Sequence, residues 1–152
     1  MKPIRNSAKA IIVVDTCLLT IKNQDPDGFY YILPGGGQHP GETLTSALQR
    51  ECREELSVDV NIGDLVCIRE YIGRNHEFAQ DADVHQIEFM FACSMQGGTS
   101  VGVGEHPDQW QVGFEWIPLD RLEAYRFYPK ALRRTLAEYR SSQHPIYLGD
   151  LN

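Results

Sequence analysis

Short apolar stretches alternate along the chain with polar and glycine-rich stretches, and most of them have the composition of strands. Ala8 to Ile21 is rich in Ile, Val, Leu and Thr, which predicts a strand with a turn near Asp15-Thr16 that breaks it in two. Further strands are predicted at Phe29 to Leu33, Val58 to Gly73, Val84 to Met95 and Gln111 to Ile117. The intervening segments predict a turn at Asn23 to Gly28, a polar loop at Arg74 to Asp83 and a glycine-rich loop at Gln96 to Gln109.

Two segments have helical patterns. Thr43 to Leu56 contains no Gly or Pro and consists mainly of good helix formers, so a helix is expected to begin near Glu42 or Thr43. Tyr128 to Arg140 has Pro129 in its first turn and apolar residues at helical spacing, which predicts an amphipathic closing helix. A short helical turn is expected at Pro118 to Leu122. This order of elements predicts an α+β fold in which a mixed sheet packs against helices.

Composition narrows the class of protein further. The 152 residues suit one domain, and 42% hydrophobic with 23% charged residues is typical of a globular protein. Twenty-one acidic against fourteen basic side chains give a net charge of −7, which disfavours membrane surfaces and long nucleic acids as partners. The longest apolar run, Ala10 to Val14, is far too short for a membrane span, and Met1 to Asn6 precedes no signal-peptide core. A cytoplasmic location is therefore expected.

The segment from Pro34 to Gly41 is glycine-rich and is predicted to be a loop without regular structure. Its glycine spacing, Gly36-x4-Gly41, is that of a phosphate-binding P-loop, but Glu42 stands where that loop needs a lysine. A Rossmann dinucleotide motif also fails, because Pro40 stands where its third glycine should be. If phosphate binds near this loop, a cation must lie between them.

The predicted helix offers acidic ligands for such a cation. At about 100° per residue, Glu51, Glu54 and Glu55 fall on one arc directly beside the apolar stripe. Like charges at this spacing destabilise a helix and therefore need a partner. One interpretation is a Mg²⁺ or Mn²⁺ site, because these ions prefer hard oxygen ligands. The other is a structural network in which Arg50 and Arg53 neutralise the glutamates.

The segment from Gly36 to Val58 resembles the Nudix box, the signature of the Nudix hydrolase family. That box has a glycine, five residues, a glutamate, seven residues and then R-E-U-x-E-E-x-G-U, where U is apolar. Every charged position is present here at the correct spacing: Glu42, Arg50, Glu51, Glu54 and Glu55. Two positions depart from the pattern, Ser57 in place of glycine at the helix end and Cys52 at a usually aliphatic position.

The resemblance implies a fold and a chemistry. The fold is an α/β/α sandwich with a mixed central sheet and a catalytic loop-helix-loop, and the chain is one such domain over residues 1–152. The chemistry is divalent-metal-dependent hydrolysis of the pyrophosphate bond of a nucleoside diphosphate linked to another group, with Mg²⁺ or Mn²⁺ as cofactor. Catalytic roles are implied for Arg50, Glu51 and Glu54. The implied metal ligands are Glu51, Glu54, Glu55 and the carbonyl of Gly35, and the residues that orient the loop are Gly36 and Glu42.

The resemblance implies that the general base is either a glutamate of the box or an acid on a loop late in the chain. We favour Glu105 in the late glycine-rich loop, with Asp108 and Glu88 as alternatives. Two of these acids also have a simpler interpretation. Glu105 could be an exposed loop acid without a role, and Glu88 could belong to a polar strand face that points toward solvent.

Substrate contacts are predicted downstream of the box. A cleft is expected to be lined by Arg74, His76, Phe78, His85 and Glu88, with Arg74 contacting phosphate and Phe78 stacking on a base. Tyr30, Tyr31 and Trp110 are further candidates to sandwich a base. The alternative is that these side chains belong to a polar loop, the core or its rim.

Two functions remain open from the sequence. The first is a hydrolase acting on a small nucleotide, and the second is a catalytically silent Nudix-fold domain that binds a nucleotide as a sensor or interaction module. The full set of box acids favours the hydrolase, because a domain that only binds does not need them all. Homodimers are common in the family, so a homodimer is one expected assembly.

Overall fold

The computed structural model describes residues 2–140 and 145–152, and within them eight strands form one mixed sheet. The strands are β1 (Arg5–Val14), β2 (Cys17–Asp25), β3 (Gly28–Ile32), β4 (Gly35–Gly37), β5 (Val60–Ile72), β6 (His85–Met95), β7 (Gln111–Pro118) and β8 (Tyr147–Asp150). Their order in the sheet is β3-β2-β1-β6-β5-β8, with β4 paired to β1 and β7 paired to β2. The pairs β1–β6 and β5–β8 are parallel, and the other pairs are antiparallel.

Helical segments cover both faces of the sheet. Helix α1 (Leu44–Leu56) packs on one face, while α2 (Leu132–Glu138) and a 3₁₀ helix (Leu119–Ala124) pack on the other. Strand β1 contributes to both cores because successive side chains point to opposite faces: Ile12 belongs to the buried cluster of α1, and Ile11 to that of α2. The α/β/α sandwich expected from the sequence is confirmed. In the described part of the chain, neither helix has the length and hydrophobicity needed to span a membrane.

Helix α1 begins and ends where the sequence predicted. The Thr43 hydroxyl accepts a hydrogen bond from the Ser46 N–H at 3.1 Å, which caps the first turn. At the other end Ser57 has a φ of 55°, the left-handed conformation that the glycine of the Nudix box adopts without strain. Ser57 takes this conformation at the helix end, and its N–H donates to the carbonyl of Arg53 at 3.0 Å.

The turn predictions are partly right. The break at Asp15-Thr16 is confirmed: both residues have positive φ and connect β1 to β2 as a hairpin. The turn predicted over Asn23 to Gly28 is too long, because β2 continues to Asp25 and Asn23 pairs with Tyr30 of β3. Only Pro26 and Asp27 lie between the two strands. Cross-strand pairing therefore overrides the turn-like composition of this segment.

The prediction that Pro34 to Gly41 has no regular structure is wrong for its centre. Gly35–Gly37 forms strand β4, which pairs antiparallel with β1 through Ser7, Ala8 and Lys9. The close approach requires glycine: a Cβ on Gly35 would lie 2.1 Å from the carbonyl oxygen of Ala8. Three glycines can therefore extend against β1 where larger residues would clash.

The C-terminal part differs most from the sequence prediction. The helix expected over Tyr128 to Arg140 is limited to α2, because the Tyr128 N–H donates to the carbonyl of Tyr31 at 2.9 Å and continues the edge of the sheet instead. Strand β8 was not predicted. It pairs parallel with β5, with Tyr147 opposite Ile68.

Candidate active site

Glu55 is the most deeply buried acid of the site. Its side chain lies on the last turn of α1 under β4, and the residue is only 1% exposed. The Gly35 N–H donates to its Oε2 at 2.9 Å, whereas its Oε1 has no hydrogen-bond partner among the described residues. Burial raises the pKa of Glu55 to about 8. A buried carboxylate oxygen without a partner is costly and is a suitable ligand for a cation.

Arg50 connects the other acids of the box. Its guanidinium donates to both carboxylate oxygens of Glu42, at 2.7 and 3.0 Å, and also to Glu51 at 2.9 Å and Glu54 at 3.2 Å. A further bond joins it to the carbonyl of Gly37 at 2.9 Å. The Arg50 guanidinium lowers the pKa of Glu42 to about 2. Arg50 thus ties the glycine strand and the loop before α1 to the acidic face of the helix.

Arg53 does not take part in this network. Its Nε donates to Asp59 instead, 2.5 Å away and outside the acidic cluster. The structural network considered from the sequence, in which Arg50 and Arg53 together neutralise the glutamates, is therefore only half present. Arg50 contacts Glu51 and Glu54, and no arginine of the described residues contacts Glu55.

Gly36 makes room for one of the acids. A Cβ at Gly36 would lie 2.5 Å from Cδ of Glu51, so the absence of a side chain here leaves room for the Glu51 carboxylate. Glu51 is consequently half-enclosed, with 13% of its side chain exposed, whereas 34% of the Glu54 side chain is exposed. Solvent exposure of the three glutamates therefore increases from Glu55 through Glu51 to Glu54.

Lys9 is a residue that the sequence interpretation missed. Its Nζ donates to the carbonyl oxygen of Gly35 at 2.9 Å, the atom that the family resemblance implies as a metal ligand. Lys9 stands opposite Gly35 in the β1–β4 pairing, so its position follows from the strand register. The signal available in the sequence was a lysine within a predicted apolar strand. Its role could not be inferred from that position, because the pairing of Lys9 with Gly35 requires β4 to be a strand.

The late glycine-rich loop docks on the end of α1. The N–H groups of Gly102, Gly104 and His106 donate to the carbonyls of Leu56, Glu55 and Glu54, at 2.9 to 3.1 Å. These bonds satisfy carbonyls that the helix end leaves free. The loop that carries the predicted base therefore lies beside the acidic helix.

The candidate bases have different surroundings. Glu105 and Asp108 are both exposed, and the charge of Asp108 acts on Glu55 and contributes to its raised pKa. Glu88 does not face solvent: it is 5% exposed and pairs with Arg69 at 2.5 Å. Burial favours the neutral form of Glu88, but the charges of Arg69 and Lys9 hold its pKa below the ordinary value.

A cleft of about 810 Å³ opens beside Tyr30 of β3, Arg69 of β5 and Gln86 of β6. Its aromatic lining residues are Tyr30, Tyr71, Phe78, Trp110 and Tyr128, and we call it the aromatic cleft. Arg5, Arg69 and Arg126 also line it. Arg126 is held by Asp25 through two bonds of 2.8 Å, whereas the described residues offer Arg5 no ion pair.

The predicted substrate residues are only partly brought together. Phe78 lines the aromatic cleft, and His85 lines a neighbouring cavity of about 700 Å³. Arg74 and His76 line neither: Arg74 is exposed, and His76 bonds to Asp150 at 2.7 Å. Of the aromatic candidates, Tyr30 and Trp110 line the cleft, and Tyr31 is part of the core. The sequence interpretation missed Arg5, Tyr71, Arg126 and Tyr128.

The acidic side chains of the site do not form a closed metal site by themselves. Among residues 2–140 and 145–152, no three acidic, histidine or cysteine side chains converge closely enough to enclose a metal ion. The donor chemistry nevertheless suits a hard divalent cation: carboxylates of Glu51, Glu54 and Glu55 share one side of α1, and Oε1 of Glu55 is unpaired. Arg50 holds two of these carboxylates, so an ion would share them with its guanidinium.

The fold and this acidic helix define the class of protein as a hydrolase of phosphate anhydrides. The NUDIX domain model matches residues 3–139, and the chain therefore belongs to the NUDIX family. It is accordingly a Nudix pyrophosphohydrolase.

Individual relatives agree with this assignment. The nucleoside triphosphatase NudI of Salmonella paratyphi B is 29% identical over 133 residues, covering 84% of this chain and 90% of its own length. A MutT NUDIX hydrolase from Burkholderia pseudomallei superposes with a TM-score of 0.68 at 24% identity, over 91% of this chain and 98% of the other. An ADP-ribose pyrophosphatase from Streptococcus suis gives 0.64 at 19% identity, over 96% and 98%. These two structures share the fold.

Proposed function

We propose that this protein uses Mg²⁺ or Mn²⁺ to hydrolyse the pyrophosphate bond of a small nucleotide, a nucleoside diphosphate linked to another group. The observation that carries the proposal is the buried, unpartnered Oε1 of Glu55 on the acidic side of α1. Glu51, Glu54 and Glu55 would hold the metal. When bound, the metal offsets phosphate charge and acidifies the attacking water.

The remaining residues position these acids. Arg50 and Glu42 fix the junction between β4 and α1, since their paired bonds restrain both side chains. Asp108 is our choice of base over Glu105, because its charge acts on Glu55 and contributes to the raised pKa of that carboxyl. Its role is to take the proton from the attacking water.

The aromatic cleft supports a nucleotide substrate. Its rings supply faces on which a base can stack, and its volume of about 810 Å³ is within the usual range for small-ligand sites. Arg5 lies at the end of the cleft nearest the box, since a Cβ on Gly37 would be 2.4 Å from its Nε. We assign Arg5, rather than Arg74, to contact with the substrate phosphates.

Nucleoside triphosphates are the first substrates to test. The nucleoside triphosphatase NudI matches most of this chain, and ADP-ribose is the second choice because a structural neighbour is an ADP-ribose pyrophosphatase. The net charge of −7 favours a small nucleotide over long RNA.

The test is release of pyrophosphate or phosphate from a panel of nucleoside triphosphates, nucleotide sugars and ADP-ribose, with Mg²⁺ and with EDTA. We expect turnover of at least one substrate with Mg²⁺, its loss in EDTA, and its loss in Glu54→Gln. Unchanged Mg²⁺-dependent hydrolysis in Glu54→Gln would refute the site assignment. Nucleotide binding without turnover in Mg²⁺ would support the sensor alternative. The single-domain organisation, the homodimer and the cytoplasmic location remain predictions.

A further inference from the structure

Lys9 is a cation built into the acidic site, on the strand that pairs with β4. Its ammonium donates to the Gly35 carbonyl at 2.9 Å. No carboxylate of the described residues forms an ion pair with it. The lysine is therefore held by a backbone oxygen, although acids lie nearby.

The charge of Lys9 acts on two acids that belong to different elements. Burial raises the pKa of Glu55 on α1, and the Lys9 ammonium is the strongest opposing influence. On β6, the same ammonium helps Arg69 to keep the pKa of Glu88 low. The Lys9 ammonium thus lies on a carbonyl oxygen and close enough to two carboxylates for its charge to act on both, which is a setting that a divalent cation prefers.

We infer that Lys9 takes the place of one divalent ion at the Gly35 carbonyl. This inference rests on the proposed function, since it concerns the metal site of that reaction. In this arrangement divalent ions bind through Glu55, Glu51 and Glu54, while the Gly35 carbonyl stays with Lys9. An ion that also used this carbonyl would come close to the ammonium and be repelled by it.

Strand pairing fixes the position of the Lys9 backbone beside Gly35. Lys9 is opposite Gly35 in the β1–β4 register and opposite Met90 in the β1–β6 register. Its backbone is therefore held on both sides, and only the side chain can move. Gly35 itself has a φ of +125°, a conformation that favours glycine, and its N–H donates to Glu55.

The test is the number of Mn²⁺ ions bound per chain, measured by electron paramagnetic resonance of free Mn²⁺. For Lys9→Met we expect about one more bound ion than in the wild type, because the carbonyl is free and the repelling charge is gone. Lys9→Arg keeps the charge and should bind the wild-type number. Lys22→Met is the matched control: its ammonium pairs with Glu115 at 3.6 Å and lies 4.1 Å from the centre of the Phe29 ring, so the ion count should not change.

Stability in EDTA is a second readout that does not depend on activity. Lys9→Met should melt at a lower temperature than the wild type in EDTA, and Mg²⁺ should restore more stability to the variant than to the wild type. If the variant is unfolded in EDTA, Mg²⁺ should refold it.

Three results would overturn the inference: an equal ion count in Lys9→Met and the wild type, a lower count in the variant, or a variant that Mg²⁺ cannot refold. The proposed function fails separately, if the wild type binds no divalent ion and hydrolyses none of the nucleotides. The two failures are distinguishable. If the wild type binds Mn²⁺ and hydrolyses nucleotide, and Lys9→Met binds the same number of ions, only the inference about Lys9 is refuted and the proposed function stands.

Discussion

The backbone N–H of Gly35 donates to Oε2 of Glu55 at 2.9 Å and thereby joins the glycine strand β4 to the last turn of α1. The bond satisfies one oxygen of a carboxylate that is otherwise sealed from solvent, while the second oxygen stays without a partner. Glu55 is therefore a structural acceptor through one oxygen, and its other oxygen is the one that the proposed function assigns to a metal ion.

The substitution Glu55→Gln separates these two roles. Its amide oxygen can still accept from Gly35, so we expect a folded protein, but a neutral amide is a poor ligand for Mg²⁺. Hydrolysis should fall by at least about 100-fold, because even changes to residues that only support metal ligands cost 10–100-fold. Steady-state kinetics measure the loss of hydrolysis, and circular dichroism checks that the variant is folded. Glu123→Gln, at an exposed position on the opposite helical layer, should retain wild-type kinetics.

The base is tested by Asp108→Asn. We expect kcat to fall by roughly 10²–10⁴-fold, since that is the usual contribution of a general base, with Mn²⁺ binding unchanged. Glu105→Gln is the matched control on the same loop and should stay within a few-fold of the wild type. A large loss in Glu105→Gln with little change in Asp108→Asn would transfer the role to Glu105.

The substitution Ser57→Gly restores the glycine that the Nudix box usually has at the end of its helix. Ser57 has a φ of 55°, where a side chain costs about 1–2 kcal/mol, whereas the extra chain entropy of glycine costs about 0.5–1 kcal/mol. The free energy of unfolding should therefore rise by roughly 0.5–1 kcal/mol in urea denaturation. Ser57→Ala retains the strain and should bring no gain. A less stable glycine variant would mean that the serine makes a compensating contact.

Glu42 gives a pH dependence of stability. Arg50 lowers its folded-state pKa from 4.5 to about 2, so the stabilisation is present above pH 4.5 and is lost as the pH falls toward 2. Wild type and Glu42→Gln should therefore differ in melting temperature at pH 6, and this difference should shrink between pH 4.5 and 2. A difference that does not change with pH would exclude the Arg50 pair as its source.

Local sequence was sufficient for the elements whose stability comes from their own residues. The capped helix α1, its acidic arc and the break between β1 and β2 depend on short-range preferences and spacing, and the structure confirms all three. The Nudix box is readable for the same reason, because its acids are spaced along one helix. The family assignment follows from that local pattern.

Elements that depend on distant partners were not predictable. Strand β4 exists because β1 lies beside it, and α2 is short because Tyr128 bonds to Tyr31, almost a hundred positions earlier in the chain. The burial of Glu88 likewise depends on Arg69 of the neighbouring strand. In each case local composition indicated a different state, and long-range pairing decided the outcome.

The sequence by itself determined the reaction class and the acids on α1, since both depend on residues at fixed spacing within one helix. Only the tertiary structure decided which groups surround those acids: Lys9 at the Gly35 carbonyl, the loop of Asp108 against the helix end, and Arg5 at the aromatic cleft. The physical reason is that these contacts join strands and loops far apart in the chain. Their positions depend on sheet register, which no short stretch of sequence contains.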